Sequence, residues 1–125
     1  MTPALFVGIA LAGGVGASLR FVVDGVVTGR LHNVFPWGTN IINVTGSLLL
    51  GLVTGLALGG VVSHDWQLVL GTGLLGGYTT FSTASLQTVR LLLDGARGPA
   101  LLNGLGMLVL CVAASGLGLW LGTLI

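Results

Sequence analysis

Four apolar runs divide the chain, at about residues 4–23, 37–60, 66–93 and 100–124, and polar side chains collect in the short stretches between them. Each run is about 20 residues or longer, the length at which an α-helix rising ~1.5 Å per residue crosses a hydrocarbon core of roughly 30 Å. The pattern predicts an all-α membrane protein with four transmembrane helices and no separate soluble domain. Both termini then lie on one side of the membrane.

The third run is unlike a plain lipid-facing helix. Its middle, GTGLLGGYTTFSTAS from Gly71 to Ser85, holds four glycines and six Ser or Thr hydroxyls beside Tyr78. Gly76 and Gly77 loosen a helix, and the Thr79-Thr80 pair that follows suits the cap of a helix that restarts. A broken transmembrane helix is the expectation. Irregular backbone at membrane depth survives only where protein buries it or a polar cavity wets it, which makes this stretch the first candidate for a functional site. Beyond the break, Thr80, Thr83, Gln87 and Arg90 share one helical face, and Phe81, Ala84 and Thr88 the neighbouring one.

The other runs carry two kinds of signal. Small residues recur every fourth position at Ala4, Gly8, Ala12 and Gly16, at Gly51, Gly55 and Gly59, and at Ala114, Gly118 and Gly122, the spacing that lets helices approach closely. Asn40, Asn43, Ser47 and Thr54 fall at i, i+3, i+7 and i+14, so the second run has a polar stripe. Interhelical hydrogen bonding and a water- or ion-lined path both account for amides there. Arg20, near the end of the first run, suits an interfacial anchor or the electropositive vestibule of an anion path, with Asp24 one turn on as a possible partner. Pro36-Trp37, Trp66 and Trp120 mark membrane boundaries. His32 is expected to be a solvated loop histidine. Asn103 and Ser115 are the polar points of the last run.

Composition agrees with a bilayer. Charged residues are 6% of the chain, four Arg and three Asp with neither Lys nor Glu, and mean hydropathy is +1.06; a soluble domain carries roughly 25% charged residues. A net charge of +1 gives no reason to expect nucleic acid. The single Cys111 cannot form an intrachain disulfide. The N-terminus lacks the basic region of a signal peptide and reads as the first span. Arg30 and Arg97 lie in the first and third connections, which the positive-inside rule places in the cytoplasm. The GGVGAS run has neither a following Lys nor a preceding strand, so helix packing accounts for it better than a nucleotide loop does. No Ser/His/Asp order, HExxH or Cys/His cluster suggests an enzyme. No carboxylate sits deep in a span, as a drug/proton antiporter would need.

Taken together, GGVGASLR, PWGTN with the following NxxGSLLLG, and GGYTTFST resemble the Fluc family of small fluoride channels, also called CrcB proteins, over nearly the whole chain. The resemblance implies an antiparallel dual-topology dimer in a bacterial cell membrane, with two passive fluoride pores along the subunit interface. It implies a structural, untransported Na⁺ held by backbone carbonyls that fall on Gly76 and Thr79. It also assigns Asn43 as the pore-lining amide, Arg20 as the vestibule cation and Phe81 as the first pore phenylalanine, with Thr80, Ser82 and Thr83 as the hydroxyl-bearing run. One position departs: the family pattern TTFSTF has a second phenylalanine where this chain has Ala84. A homodimer would lack that ring in both pores, so the expected assembly is a homodimer or a heterodimer with a related, oppositely oriented subunit. The competing readings are a non-conducting structural membrane subunit and an obligate partner of a second channel subunit.

Overall fold

The computed structural model describes residues 1–31 and 35–125; the expectation for His32 lies outside them. Every regular element among the described residues is helical. Helix α1 spans Pro3–Arg30, with the Thr2 side chain accepting from the Leu5 amide at 3.1 Å and Pro3 at its first position. It runs past the expected end near residue 23, because nothing between Asp24 and Arg30 breaks it and Arg30 complements its C-terminal dipole. At 28 residues it is about 42 Å long, so its last turns extend beyond a hydrocarbon core of roughly 30 Å.

Helix α2 spans Trp37–Leu58 and closes at Gly59 and Gly60, the latter at φ +78°. That left-handed geometry favours glycine. Helix α3, residues 64–78, begins at a Ser63 cap and widens to π-type hydrogen bonding over Leu68–Leu75 before closing with the turn Gly76–Tyr78. Helix α4 follows as Ser82–Leu93, and a turn at Gly95, φ +78°, leads into α5, Arg97–Leu124, which is widened over Leu102–Gly106. Among the described residues, three helices, α1, α2 and α5, are long and apolar enough to cross a membrane.

The break in the third run is present but displaced. Gly76 and Gly77 remain helical, and the interruption falls at residues 79–81, where Thr79 is extended at φ −79°, ψ 159°. The glycine at 77 serves close approach instead: a Cβ there would land on the Gly13 carbonyl of α1. One member of the threonine pair does cap, since Thr80 Oγ1 accepts from the Thr83 amide at 3.3 Å.

Two glycine seams hold the helices. Between α1 and α3, Gly16 meets Leu74, Gly73 meets Ile9 and Ala12, and Gly77 meets Gly13. Between α2 and α5, Gly51 and Gly55 lie against Ser115, Leu119 and Gly122, while Gly118 and Gly122 lie against Leu48 and Leu52. Gly59 meets only its own helix, so the expected ridge on α2 ends at Gly55. Backbone-to-backbone packing of this kind drives association where lipid removes the hydrophobic difference between inside and outside. The core follows the same logic: its buried apolar residues are Ile42, Leu75, Leu91, Ala100 and Met107, and beside them Thr39, Asn40, Asn43 and Asn103 are buried too. Large apolar side chains such as Phe6, Leu11, Phe21, Leu102 and Val109 point outward. A soluble protein inverts that arrangement. This is a membrane protein.

Candidate functional site

Asn43, one turn into α2 after Asn40, faces the break and grips it. Its Nδ2 donates to the Thr80 carbonyl at 2.8 Å and its Oδ1 accepts from the Thr80 amide at 2.9 Å, so one side-chain amide pairs with both backbone groups of one residue. The second Nδ2 proton goes to Met107 Sδ on α5 at 3.1 Å. Asn43 is 8% exposed.

Asn40 anchors the other side of the same half-helix through α5. Its Nδ2 donates to Asn103 Oδ1 at 2.8 Å and to the Pro36 carbonyl at 3.0 Å. Asn103, 1% exposed, donates in turn to Thr88 Oγ1 at 2.7 Å and to the Ala84 carbonyl at 3.3 Å, and the Thr88 hydroxyl also donates to that carbonyl. Buried amides are tolerated here because these bonds satisfy them. Asn40 and Asn43 of the polar stripe of α2 thus serve interhelical bonding, whereas Ser47 lines a cavity and Thr54 donates to its own helix at the Leu50 carbonyl, 2.8 Å away.

Two cavities flank the break and share Thr80. One, about 340 Å³, opens between α2, α4 and α5 and is lined by Asn43, Ser47, Thr79, Thr80, Phe81, Ala84, Thr88 and Asn103, with Met107 and Cys111 on the far wall. The other, about 240 Å³, lies toward α1 and brings Arg20, Phe21 and Asp24 to Thr39, Thr80 and Thr83. Asp24 also borders a third, more polar space of about 410 Å³ with Thr28, Gln87, Arg90 and Asp94. Gln87 Oε1, on that wall, is buried with no hydrogen-bond partner among the described residues. An orphan acceptor beside a roomy polar space suits a bridging water.

Seven residues named from sequence thus gather around the break: Arg20, Asn43, Thr79, Thr80, Phe81, Thr83 and Ala84. Ser82 stands apart from both cavities, exposed on the first turn of α4, with its Oγ 3.5 Å from that of Thr80. The Phe81 ring is 86% exposed on the single chain. Gly76, also exposed, keeps its carbonyl free among the described residues, because the Thr80 amide that a continuous helix would direct to it goes to Asn43 instead. No backbone amide of the described residues returns to the Thr79 carbonyl either. Sequence reading missed the roles of Asn103 and Met107. The available signal was an amide within an apolar run, which demands a partner, and a methionine one turn after it on the same face.

Residues 7–119 match the family model described as CrcB-like protein, Camphor Resistance (CrcB). The chain belongs to the CrcB-like family. Among its curated relatives, the fluoride-specific ion channel FluC 1 of Leifsonia xyli subsp. xyli is 55% identical over 99% of this chain and 90% of its own length. FluC 2 of Mycobacterium bovis is 46% identical over 97% of this chain and 93% of that protein. The FluC of Thermus thermophilus is 43% identical over 91% of each. The break carries one of the three motifs on which the family resemblance rests, GGYTTFST.

Proposed function

We propose that this CrcB-like chain is a subunit of a passive fluoride channel, not an enzyme, in a bacterial cell membrane. The observation that carries the reading is the break itself. A helix interrupted between two cavities exposes uncommitted backbone groups and hydroxyls, which is tolerable at membrane depth only where they face protein or water.

The third apolar run, residues 64–78 followed by Ser82–Leu93, is taken as the remaining crossing, which makes four spans. A second copy, or a related subunit in the opposite orientation, would cover the exposed edge at Gly76 and Phe81 and form an antiparallel dimer. Fluoride is small and strongly hydrated, so a path for it must replace many water contacts without holding the ion tightly. Thr80, Ser82 and Thr83 offer hydroxyl donors, Arg20 raises the local positive potential, and the positive edge of the Phe81 ring can face an anion. Asn43 and Ala84 complete the lining.

The residues also fit a structural cation. The free carbonyls at Gly76 and Thr79 are neutral, hard oxygen donors of the kind that suits Na⁺. When bound, such an ion would neutralise converging carbonyl dipoles from the two subunits and so tie them together; it is not transported.

Efflux of fluoride from liposomes holding the purified chain, with chloride as control, tests the proposal. Fluoride release with no chloride release is expected; equal leakage of both, or of neither even with a related subunit added, would mean a structural membrane subunit. Ala84 favours the dependence on a partner. If its lost ring is the cause, Ala84→Phe raises the flux of the chain reconstituted alone.

A further inference from the structure

We infer that Asp24 sets how readily an anion enters the site: its carboxylate stands as an unpaired negative charge where two cavities meet, and it slows entry. The inference rests on the channel reading above and adds to it a residue on the way in. Placement carries it. Among the described residues, Asp24 alone lines both the cavity of about 240 Å³ beside the break and the one of about 410 Å³. The larger cavity is bounded by Leu31 after α1, by Pro36 and Trp37 at the start of α2 and by Asp94 after α4. Those are helix ends, so it lies toward the membrane surface. The smaller reaches Thr80 and Thr83 at the break, with Arg20 on its wall. An ion passing from one to the other passes Asp24.

The charge of that carboxylate is not cancelled locally. Arg20 precedes it by one turn and Arg90 shares the larger cavity with it, yet among the described residues no ion pair joins either guanidinium to it. The pairing with Arg20 that their spacing allows is therefore not made. A Cβ on Gly38 would land on Asp24 Oδ1, so the carboxylate lies instead against the first turn of α2, whose N-terminus has no side-chain cap of its own. The partial positive charge of that helix end, about half a unit, holds the carboxylate in place without neutralising it. Asp94 and Arg90, of opposite sign, both border the larger cavity, and their charges sum to zero there. Arg20 keeps its full charge for the site, but an anion arriving from the larger cavity meets Asp24 first. A fixed charge at the mouth of a cleft acts on the rate of entry, and its effect fades as salt screens it.

Fluoride efflux from liposomes holding the full chain, with a related subunit where flux needs one, tests this through Asp24→Asn, which removes the charge and keeps the shape. At about 10 mM salt, where the Debye length is roughly 30 Å, flux at sub-saturating fluoride should rise about three- to tenfold over the unmodified protein. At about 1 M of a sodium salt with a large impermeant anion, where the Debye length is roughly 3 Å, the two should agree to within about twofold. Flux unchanged or lowered at low salt, or a gain of equal size at both salt concentrations, would overturn the inference and leave Asp24 a packing partner of α2. Thr28→Lys covers the case that Asp24→Asn does not fold. At this exposed position one turn on along α1, the lysine pairs with Asp24 in place. It should give a salt-sensitive rise of at least about twofold, and no rise refutes the inference as well. If the unmodified protein conducts no fluoride, alone or with a related subunit, the channel reading fails and the inference with it. Conduction that responds to neither variant removes the inference only.

Discussion

Single residues around the break divide into those that hold the fold and those that face outward, and the two kinds respond differently to substitution. Asn103 is of the first kind. It is 1% exposed, accepts from Asn40 and donates to Thr88 and to the Ala84 carbonyl. Asn103→Leu leaves an Asn40 donor without its partner in the core, and should cost about 1–3 kcal/mol, read as a lower unfolding midpoint in detergent. Phe81 is of the second kind. Its ring is 86% exposed on the single chain, so Phe81→Ala should change the stability of the isolated subunit by no more than about 0.5 kcal/mol. Fluoride flux should nevertheless fall, because the proposed pore wall is lost. A large drop in subunit stability with flux intact would contradict both statements. From sequence these two residues could be picked out as an amide and a ring in unusual places, but only the bonds of the one and the exposure of the other separate their roles.

At the scale of helices, glycine position decides tolerance. Gly116 and Gly118 lie two residues apart on α5, yet a Cβ at Gly118 would land on the Leu48 carbonyl of α2 while one at Gly116 meets nothing within 4 Å. Gly118→Ala should therefore force the two helices apart and destabilise by roughly 1–3 kcal/mol, whereas Gly116→Ala should be neutral or slightly stabilising, since alanine is the better helix former by about 1 kcal/mol. Chemical denaturation of the two variants side by side checks the contrast. The four-residue spacing made these seams legible in advance at Gly16, Gly51, Gly55, Gly118 and Gly122. It did not reveal Gly13, Gly73 and Gly77, because their contacts depend on how α3 lies across α1. The displaced break has a similar cause. Flexibility pointed to Gly76 and Gly77, but both stay helical, Gly77 packed closely on Gly13 of α1, and Asn43, distant in sequence, takes the hydrogen bonds of Thr80 instead.

For the whole molecule, the exposed edge at the break calls for a cover. Gly76, Phe81, Ser82 and Thr83 are all exposed on one chain, an arrangement that a bilayer penalises unless a partner or water meets it. A cysteine placed at Ser82 should therefore cross-link to a second subunit in native membranes, with electrophoretic mobility as the readout; a monomer only would contradict the dimer. Replacing Na⁺ with a large organic cation should weaken that association, because the carbonyls proposed to hold the ion would repel one another. Persistence of an equally stable dimer without Na⁺ would remove the structural role given to Gly76 and Thr79.

The sequence by itself determined the solvent, the helical class and the region that matters. Long apolar runs with few charges admit no other solvent, and hydroxyls grouped with glycines in the middle of one run mark a departure from plain helix that chain chemistry alone exposes. Local patterns also located the polar stripe of α2. Only the tertiary structure decided where the chain breaks and what the asparagines do, because those outcomes depend on hydrogen bonds between residues 37 and 63 positions apart, Asn43 with Thr80 and Asn40 with Asn103. A buried amide must find partners, but its sequence neighbours do not say which. Folding brings α2, α4 and α5 together and thereby turns the amide on Asn43 from a free donor, as sequence alone presents it, into the clamp on Thr80.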